Sequence, residues 1–177
     1  MATTERLEIE QLCHDHAAGL VAALGDPQVG AYLGGPDVST EAAMHDRIDR
    51  LAEGPGPGHP DERWHNFAVR RVPDGAVLGR IEATTYGDWA EIAYVFGPAT
   101  WGQGYATEAT QWLLVWLHDR GVTELWAAVH PDNNRSVRLL LRLGFEQLAV
   151  PTRPLGSFDD GDLVFRSAAA ATARSSG

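Results

Sequence analysis

The sequence of 177 residues contains no lysine, a single cysteine and no long apolar run. Without lysine, the chain can form neither a lysine Schiff base nor the lysine-containing phosphate loop of the GxxxxGK[ST] type. Cys13 has no partner for an internal disulfide, and it cannot build a cysteine-based metal site. The longest strongly apolar stretch, residues 112–117, is far shorter than the roughly 20 residues that span a bilayer. The N-terminus lacks a basic region followed by an apolar one, so no signal peptide is predicted.

The chain also has an excess of negative charge, with 24 acidic residues, 14 arginines and a net charge of −10. Nucleic-acid binding needs clustered positive charge, so neither nucleic acid nor a membrane is an expected partner. The acidity fits a cationic substrate such as an amine, and it equally fits a surface that only keeps the protein soluble. Seven histidines without HxH or HExxH spacing predict no metal site. The expected location is the cytoplasm.

Periodicity and turn residues predict a single α+β domain over residues 5–166, followed by a frayed tail over residues 167–177. The predicted order is β-α-α-β-β-β-α-β-α-β-β, with Asp15 and Ser39 as the N-caps of the first two helices. The sheet is expected to be mixed but mostly antiparallel, with about six or seven strands and about four helices on its faces. The predicted strands are residues 6–12, 64–72, 76–86, 90–96, 125–129, 145–150 and 162–166. The two later helices are residues 105–120, ending at Gly121, and residues 134–143.

Residues 94–109 carry the strongest functional signal, because their pattern predicts an apolar strand, a glycine-rich turn and the start of an amphipathic helix. Gly102 and Gly104 have no Cβ, so the backbone can turn tightly there. The first turn of a helix leaves four N–H groups without intrahelical partners, and the helix dipole adds positive charge. Such a place binds phosphate or pyrophosphate, although a tight turn without a ligand is the alternative. A dinucleotide fingerprint does not fit, because Thr107 replaces its third small residue and the preceding strands are antiparallel.

The turn resembles the acyl-CoA-binding motif of the GNAT superfamily of N-acetyltransferases, whose usual pattern is Gln/Arg-x-x-Gly-x-Gly/Ala. Residues 101–106 read Trp-Gly-Gln-Gly-Tyr-Ala, so that Gly104 and Ala106 match the two small positions. Trp101 stands where the family usually has Gln or Arg. The longer form Trp-Gly-x-Gly-Tyr-Ala-Thr-Glu-Ala is typical of the RimJ/RimL branch, which acetylates the N-termini of ribosomal proteins.

A second block supports the same resemblance, which covers about residues 5–166. Residues 129–145 are similar to the Asn-x-x-Ser segment of that branch and its Gly-Phe ending. Asn133 and Ser136 match the polar positions of the segment. The resemblance leaves the oligomeric state open, and a homodimer through the late strands would suit the family.

The resemblance implies acetyl-CoA, or another acyl-CoA, as co-substrate. Backbone N–H groups of residues 103–107 would bind the pyrophosphate, and residues 94–96 would pair with the pantetheine arm while splaying away from residues 125–129. An N–H group near Val95 or Phe96 would be the oxyanion donor. Arg138, with Arg135 and Arg142 on the same helix face, could meet the 3′-phosphate or simply be solvated. The candidate coenzyme-binding residues are Tyr94, Val95, Phe96, Trp101, Gly102, Gln103, Gly104, Tyr105, Ala106, Thr107, Asn133 and Arg138.

Three residues are candidates for the chemistry. Glu91 lies in a strand that resembles the one carrying the catalytic Glu of histone-acetylating members, so it is the first candidate for the general base. The alternatives are an ordinary strand glutamate at this position, with Glu82 or water as the base. Ser136 is the candidate partner of the leaving thiolate, because Leu140 occupies the position where many members have a Tyr. Its hydroxyl could instead bond locally to the backbone.

The sequence therefore predicts an acyl-CoA-dependent N-acyltransferase that moves an acetyl group from acetyl-CoA to a primary amine by direct transfer in a ternary complex. The acceptor is expected to be a protein N-terminus or a small amine such as an antibiotic or metabolite. Residues 30–62 and 150–162 are expected to frame the acceptor site. The alternatives are a non-catalytic acyl-CoA-binding module and an N-acyltransferase with a different acyl donor.

Overall fold

A computed structural model describes residues 1–33 and 40–168 of the chain. The strands are β1 (Ala2–Thr3), β2 (Leu7–Gln11), β3 (Glu62–Arg71), β4 (Val77–Tyr86), β5 (Trp89–Phe96), β6 (Glu124–Val129), β7 (Glu146–Leu148) and β8 (Leu163–Ala168). The helices are α1 (Ala17–Leu24), α2 (Pro27–Gly30), α3 (Glu41–Glu53), α4 (Tyr105–His118) and α5 (Asn134–Arg142). Two 3₁₀ turns, His14–His16 and Pro98–Thr100, precede α1 and α4. None of the described helices is long and apolar enough to cross a membrane.

The strands form one sheet in the order β1-β2-β3-β4-β5-β6-β8-β7. Of its pairings within the described residues, only that between β5 and β6 is parallel, and α4 makes the connection between these two strands. The mixed, mostly antiparallel α+β architecture predicted from the sequence is thus confirmed. The eight described strands exceed the predicted six or seven because β1 has only two residues, too few to show a period. The four-residue α2 was missed for the same reason.

Several predicted boundaries differ from the observed ones. Asp15 lies inside a 3₁₀ turn, and His16 rather than Asp15 is the N-cap residue of α1. Thr40 caps α3 by accepting a hydrogen bond from Ala43 N at 3.1 Å, whereas the predicted cap, Ser39, lies outside the described residues. The last turn of α4 ends two residues before the predicted end, with Asp119 as its C-cap. The final strand continues to residue 168, and the tail over residues 169–177 lies outside the described residues.

The sheet separates two apolar layers. On one face α4 packs over the central strands, and the layer there includes Ala109, Leu113 and Leu117 with Ile81, Ile92 and Phe96. On the other face α1 and α3 pack against β3 and β5 through Leu20, Leu24, Met44, Ile48, Ala68 and Val95. Alternation along β5 therefore sends odd-numbered side chains to the face of α1 and α3, and even-numbered ones to the face of α4.

The N-terminal segment is tied to the first turn of α4 by a polar cluster. Arg6 Nε and Arg6 Nη2 both lie 2.7 Å from Glu108 Oε2, and Arg6 N donates to Glu108 Oε1 at 2.9 Å. Thr4 Oγ1 donates to the same carboxylate at 2.6 Å. A third nitrogen, Arg6 Nη1, donates to Gln103 O at 2.9 Å in the turn before the helix. These bonds fix the position at which α4 begins.

We predict that Glu108→Gln destabilises the protein in a pH-dependent way. Burial raises the pKa of the Glu108 carboxyl, but the hydrogen bonds from Thr4 and Arg6 together lower that pKa below its ordinary value. The ionised carboxylate therefore stabilises the fold above the ordinary pKa of 4.5, and this stabilisation is lost as the pH falls through the lowered pKa. Urea unfolding at pH 7 is expected to show a loss of about 1.5–3 kcal/mol, the usual worth of hydrogen bonds to a charged group. The loss is expected to shrink below pH 4.5, and an equal loss at pH 7 and pH 4 would contradict this assignment.

Candidate active site

The central feature of the site is a gap between β5 and β6. Their parallel pairing covers only three positions, from Trp89–Glu124 to Glu91–Trp126. Beyond Glu91 the two strands separate, while β6 remains paired with β8 as far as Val129. The splay that the resemblance implied is therefore present in the fold. Among the strands of residues 1–33 and 40–168, none neighbours this edge of β5 over residues 92–96.

The direction of the backbone groups in β5 follows from its ladder with β4. Gly97 N donates to Leu78 O at 3.1 Å, and hydrogen-bonded pairs recur at every second residue of an antiparallel ladder. The N–H group of Val95 is consequently directed toward β4. The N–H groups of Tyr94 and Phe96 are directed into the gap. Of the two residues considered as oxyanion donor, only Phe96 presents its N–H group to the open edge.

Backbone donors also line the turn that leads into α4. Gly102 and Gly104 have φ angles of 75° and 83°, a region that other residues rarely adopt. The first hydrogen bond of the helix is from Glu108 N to Gly104 O, at 3.0 Å. Within residues 1–33 and 40–168, the N–H groups of residues 102–107 have no acceptor. This is the arrangement expected of an anion-binding helix N-terminus.

A cavity of about 360 Å³ joins the gap to this turn. Its walls bring together eleven of the twelve coenzyme-binding candidates, since Gln103 is the one that does not line it. Gln103 instead donates from Nε2 to Ala99 O at 2.7 Å and thereby stabilises the turn from outside. Four further lining residues come from α2 and the segment after it: Gln28, Val29, Tyr32 and Leu33. The last two lie within residues 30–62, which were expected from the sequence to frame the acceptor site.

Trp101, which stands where the motif usually has Gln or Arg, makes two contacts at the edge of the gap. The indole Nε1 donates to Phe96 O at 2.8 Å and so binds one backbone carbonyl at the edge of the gap. The guanidinium of Arg135 stacks over the same indole, with Cζ 3.9 Å from the ring centroid. Arg138 and Arg142 follow on α5, and all three arginines line the cavity. Positive charge is therefore concentrated beside the turn in an otherwise acidic protein.

The start of α5 supplies a free hydroxyl. Asn133 caps the helix by accepting from Ser136 N at 3.2 Å. Tyr94 O–H donates to Ser136 O at 3.4 Å, and burial raises the pKa of Tyr94 to about 12 against the lowering effect of this bond. Ser136 Oγ has no hydrogen-bond partner in the described part of the chain, although it lines the cavity. The local backbone bond that was the alternative for Ser136 is therefore not made by its side chain.

The two candidate carboxylates lie on the face of α1 and α3, and neither lines the cavity. Glu82 forms ion pairs with Arg47, at 3.2 Å, and with the buried Arg80. Glu91 is 7% exposed. Its carboxylate accepts hydrogen bonds from Gly156 N at 2.8 Å, from Ser157 N at 3.0 Å and from the Ser157 hydroxyl. Both loop residues lie within residues 150–162, which were expected to frame the acceptor site, but the sequence did not predict their contact with Glu91.

Comparisons with known proteins agree with this geometry. Residues 6–146 match the family described as the acetyltransferase (GNAT) domain, so the chain belongs to the GNAT family. The uncharacterised N-acetyltransferase p20 of Bacillus licheniformis is 30% identical over 156 residues, covering 81% of each chain. The uncharacterised N-acetyltransferase YoaA of Bacillus subtilis (strain 168) is 24% identical over 151 residues, covering 83% of each chain.

Among solved structures, a similar fold is found in RimL, a ribosomal L7/L12 α-N-protein acetyltransferase crystallised in complex with coenzyme A. The TM-score is 0.76 at 15% identity, over 94% of this chain and 96% of that chain. At this identity the likeness is one of fold. Together with the family match, it identifies the protein as an acyl-CoA-dependent N-acyltransferase.

The described residues fit a coenzyme A molecule. The free N–H groups before α4 suit a diphosphate, the open edge of β5 suits the amide-containing pantetheine arm, and the α5 arginines suit a further phosphate. Within the described residues, no group of three or more metal-ligating side chains lies together.

We predict that Gly104→Ala weakens coenzyme A binding at least about tenfold. At a φ of 83° any residue with a Cβ is strained, so the turn that presents the N–H groups would have to change, while the Cβ itself would make only an ordinary contact with Arg6 Nη2 at 3.4 Å. Gly121→Ala is the matched control, because its φ of 86° imposes the same backbone strain at the other end of α4. Calorimetry with coenzyme A should register the loss for Gly104→Ala alone. Equal affinities for both variants would refute the role of this turn.

Proposed function

We propose that the protein acetylates primary amines and that its acceptor is the α-amino group of a polypeptide. The observation that carries the transferase proposal is the junction of the β5–β6 gap with the free N–H groups before α4. The open edge of β5 lies at one end of this cavity and the start of α4 lies at the other. Together they provide hydrogen-bond donors for both ends of an acyl-CoA molecule. Ser136 and Phe96 border the same cavity.

Different residues along this cavity bind different parts of the coenzyme. The N–H groups of residues 103–107 hold the diphosphate, and Arg138, next to Arg135, holds the 3′-phosphate. Tyr94 and Phe96 offer backbone groups to the pantetheine arm. Bound acetyl-CoA supplies an activated acyl thioester, and the N–H group of Phe96 is the donor directed at the oxygen on which charge develops.

Proton movement is assigned to Ser136 and to water. Ser136 Oγ is free to donate a hydrogen bond to the departing sulfur, and the proton that the amine gives to water returns to the thiolate. Tyr94 is already used in binding Ser136 O. Glu82 is not supported as the general base, because its carboxylate is engaged by two guanidinium groups. Glu91 is engaged by Gly156 and Ser157. The amine therefore loses its proton to water on the face of α1 and α3.

The preference for a polypeptide acceptor rests on the space available beyond Glu91. A second cavity, of about 630 Å³, lies at the β4–β5 turn, beside the start of β5, and is bordered by Arg63, Tyr86, Trp89 and Arg153. Tyr86 and Trp89 stack with their ring centroids 4.2 Å apart. A small amine would leave this region empty, whereas a peptide has residues that follow its N-terminus. RimL, which shares the fold, is a ribosomal L7/L12 α-N-protein acetyltransferase.

An amine panel tests the function. Release of coenzyme A from acetyl-CoA is followed with a thiol reagent in the presence of short peptides, the same peptides with blocked N-termini, polyamines and aminoglycosides. Turnover that requires a free peptide N-terminus is expected. Turnover only with polyamines or aminoglycosides would show that the acceptor is a small amine rather than a polypeptide. Binding without release for any amine and any acyl-CoA would favour the non-catalytic module, and release only from longer acyl-CoAs would favour a different donor.

We predict that Ser136→Ala lowers kcat on the order of 100-fold, the usual worth of a positioned proton donor, with unchanged coenzyme A affinity. Ser167→Ala is the control, because this serine lies in β8, and its hydroxyl donates only to Ala168 O at 2.9 Å. Pre-steady-state measurement of the acyl-transfer step separates chemistry from product release. A wild-type rate for Ser136→Ala would leave the residue without a chemical role.

A further inference from the structure

Glu91 occupies a special position at the apex of the gap. It forms the last pair between β5 and β6, opposite Trp126, and the strands diverge immediately after it. Its side chain shares a face with Trp89 and Val95, opposite the face covered by α4. An amine that approaches the gap from the face of α1 and α3 would come in on the side of the sheet that carries this carboxylate.

The carboxylate is covered by the connection between β7 and β8, residues 149–162. Gly156 N and Ser157 N donate to different oxygens, Oε2 and Oε1, and the Ser157 hydroxyl also donates to Oε1. One charged group therefore binds three donors from two successive residues. Since Ser157 itself is exposed, the contact joins a surface loop to a buried point of the sheet.

Apolar contacts on both sides of this point strengthen the attachment. Leu155 and Phe158 pack against a cluster formed by Trp89, Trp126 and Val164. The same connection then forms part of the second cavity through Arg153 and Pro154. By holding residues 156 and 157 in place, the carboxylate also fixes the position of the loop that borders the region proposed for the acceptor.

These contacts disagree with a role for Glu91 as general base. A base must have a lone pair directed at the proton that it removes. Both oxygens of Glu91 instead face backbone and hydroxyl donors of the loop, and the side chain is 7% exposed. A buried charge that is stabilised by several donors is costly to leave unpaired, so removing it should release the loop.

We propose that Glu91 is a positioning residue that anchors the β7–β8 connection over the acceptor site and thereby sets the affinity for the amine substrate. The proposal rests on the proposed function for its substrate, but the anchoring itself does not. Hydrogen exchange reports the anchoring in the absence of any substrate, and kinetics report its consequence. Failure of the function and failure of the proposal are thus distinguishable.

The experiment compares wild-type protein with Glu91→Gln, Ser157→Ala, the double variant and Thr152→Ala. Thr152→Ala is the matched control, because it removes a hydroxyl from an exposed position of the same connection without touching Glu91. Amide exchange at residues 156 and 157 is measured on the free protein. For the acceptor, kcat and KM are measured across pH 6 to 9, and the coenzyme A affinity is measured by calorimetry.

Glu91→Gln and Ser157→Ala are each expected to speed exchange at residues 156 and 157 and to raise the acceptor KM about tenfold. Both should keep kcat within about twofold of wild type, because neither variant removes a group used in the chemistry. The pH dependence of kcat/KM should be unchanged, and the double variant should be no worse than Glu91→Gln. Thr152→Ala should match wild type throughout.

Two outcomes would overturn the proposal. One is a loss of kcat on the order of 100-fold in Glu91→Gln, together with loss of the acidic limb of its kcat/KM–pH profile, while Ser157→Ala keeps the wild-type kcat and pH profile. That result would make Glu91 the base. The other is unchanged exchange in Ser157→Ala, a variant at an exposed residue whose folding is not in question. If no amine is acetylated at all, the proposed function fails, and the exchange data still decide the anchoring.

Discussion

The site depends on one constraint, which is that β5 is paired on both edges only as far as Glu91. Past this residue β6 turns away to stay with β8. Within the described residues, Tyr94 and Phe96 then face no strand on that edge, although both stay paired with β4 on the other edge. Buried or half-buried backbone groups require hydrogen bonds, so such an edge is a binding surface for an extended ligand with amide groups. In this protein one of its carbonyls is already bound by the indole of Trp101.

A second consequence concerns charge. The chain carries a net charge of −10, yet its proposed ligand is a polyanion. The conflict is resolved locally, because unpaired N–H groups before α4 and the arginines of α5 line the same cavity. The carboxylate of Glu108 in the first turn of α4 is occupied by Arg6 and Thr4. On the opposite face Glu82 is paired with Arg47 and Arg80, and Glu91 accepts hydrogen bonds from Gly156 and Ser157.

Much of this arrangement could be predicted from the sequence, because its signals are local. The two glycines with positive φ, the amphipathic period of α4 and the short antiparallel hairpins each lie within a few residues, and the family motif adds their order. What could not be predicted depends on contacts between distant residues. The bond between Arg6 and Glu108 spans 102 positions, and the bonds from Gly156 and Ser157 to Glu91 span 65 and 66. Glu91 was interpreted as a base because its strand resembles a catalytic one, and only the loop bound to it suggests another role. The capping of α1 differed because a 3₁₀ turn precedes the helix and displaces its start.

The central claim is that the N–H groups at the start of α4 bind the diphosphate of the coenzyme. Calorimetry with dephospho-coenzyme A, which has the diphosphate but no 3′-phosphate, and with pantetheine, which has the same thiol arm but neither diphosphate nor adenosine, tests it most directly, and adenosine alone is the control for the remaining part. The account predicts that pantetheine binds at least about 100-fold more weakly than dephospho-coenzyme A, a difference of about 2.7 kcal/mol. Equal affinities for dephospho-coenzyme A and pantetheine would contradict it.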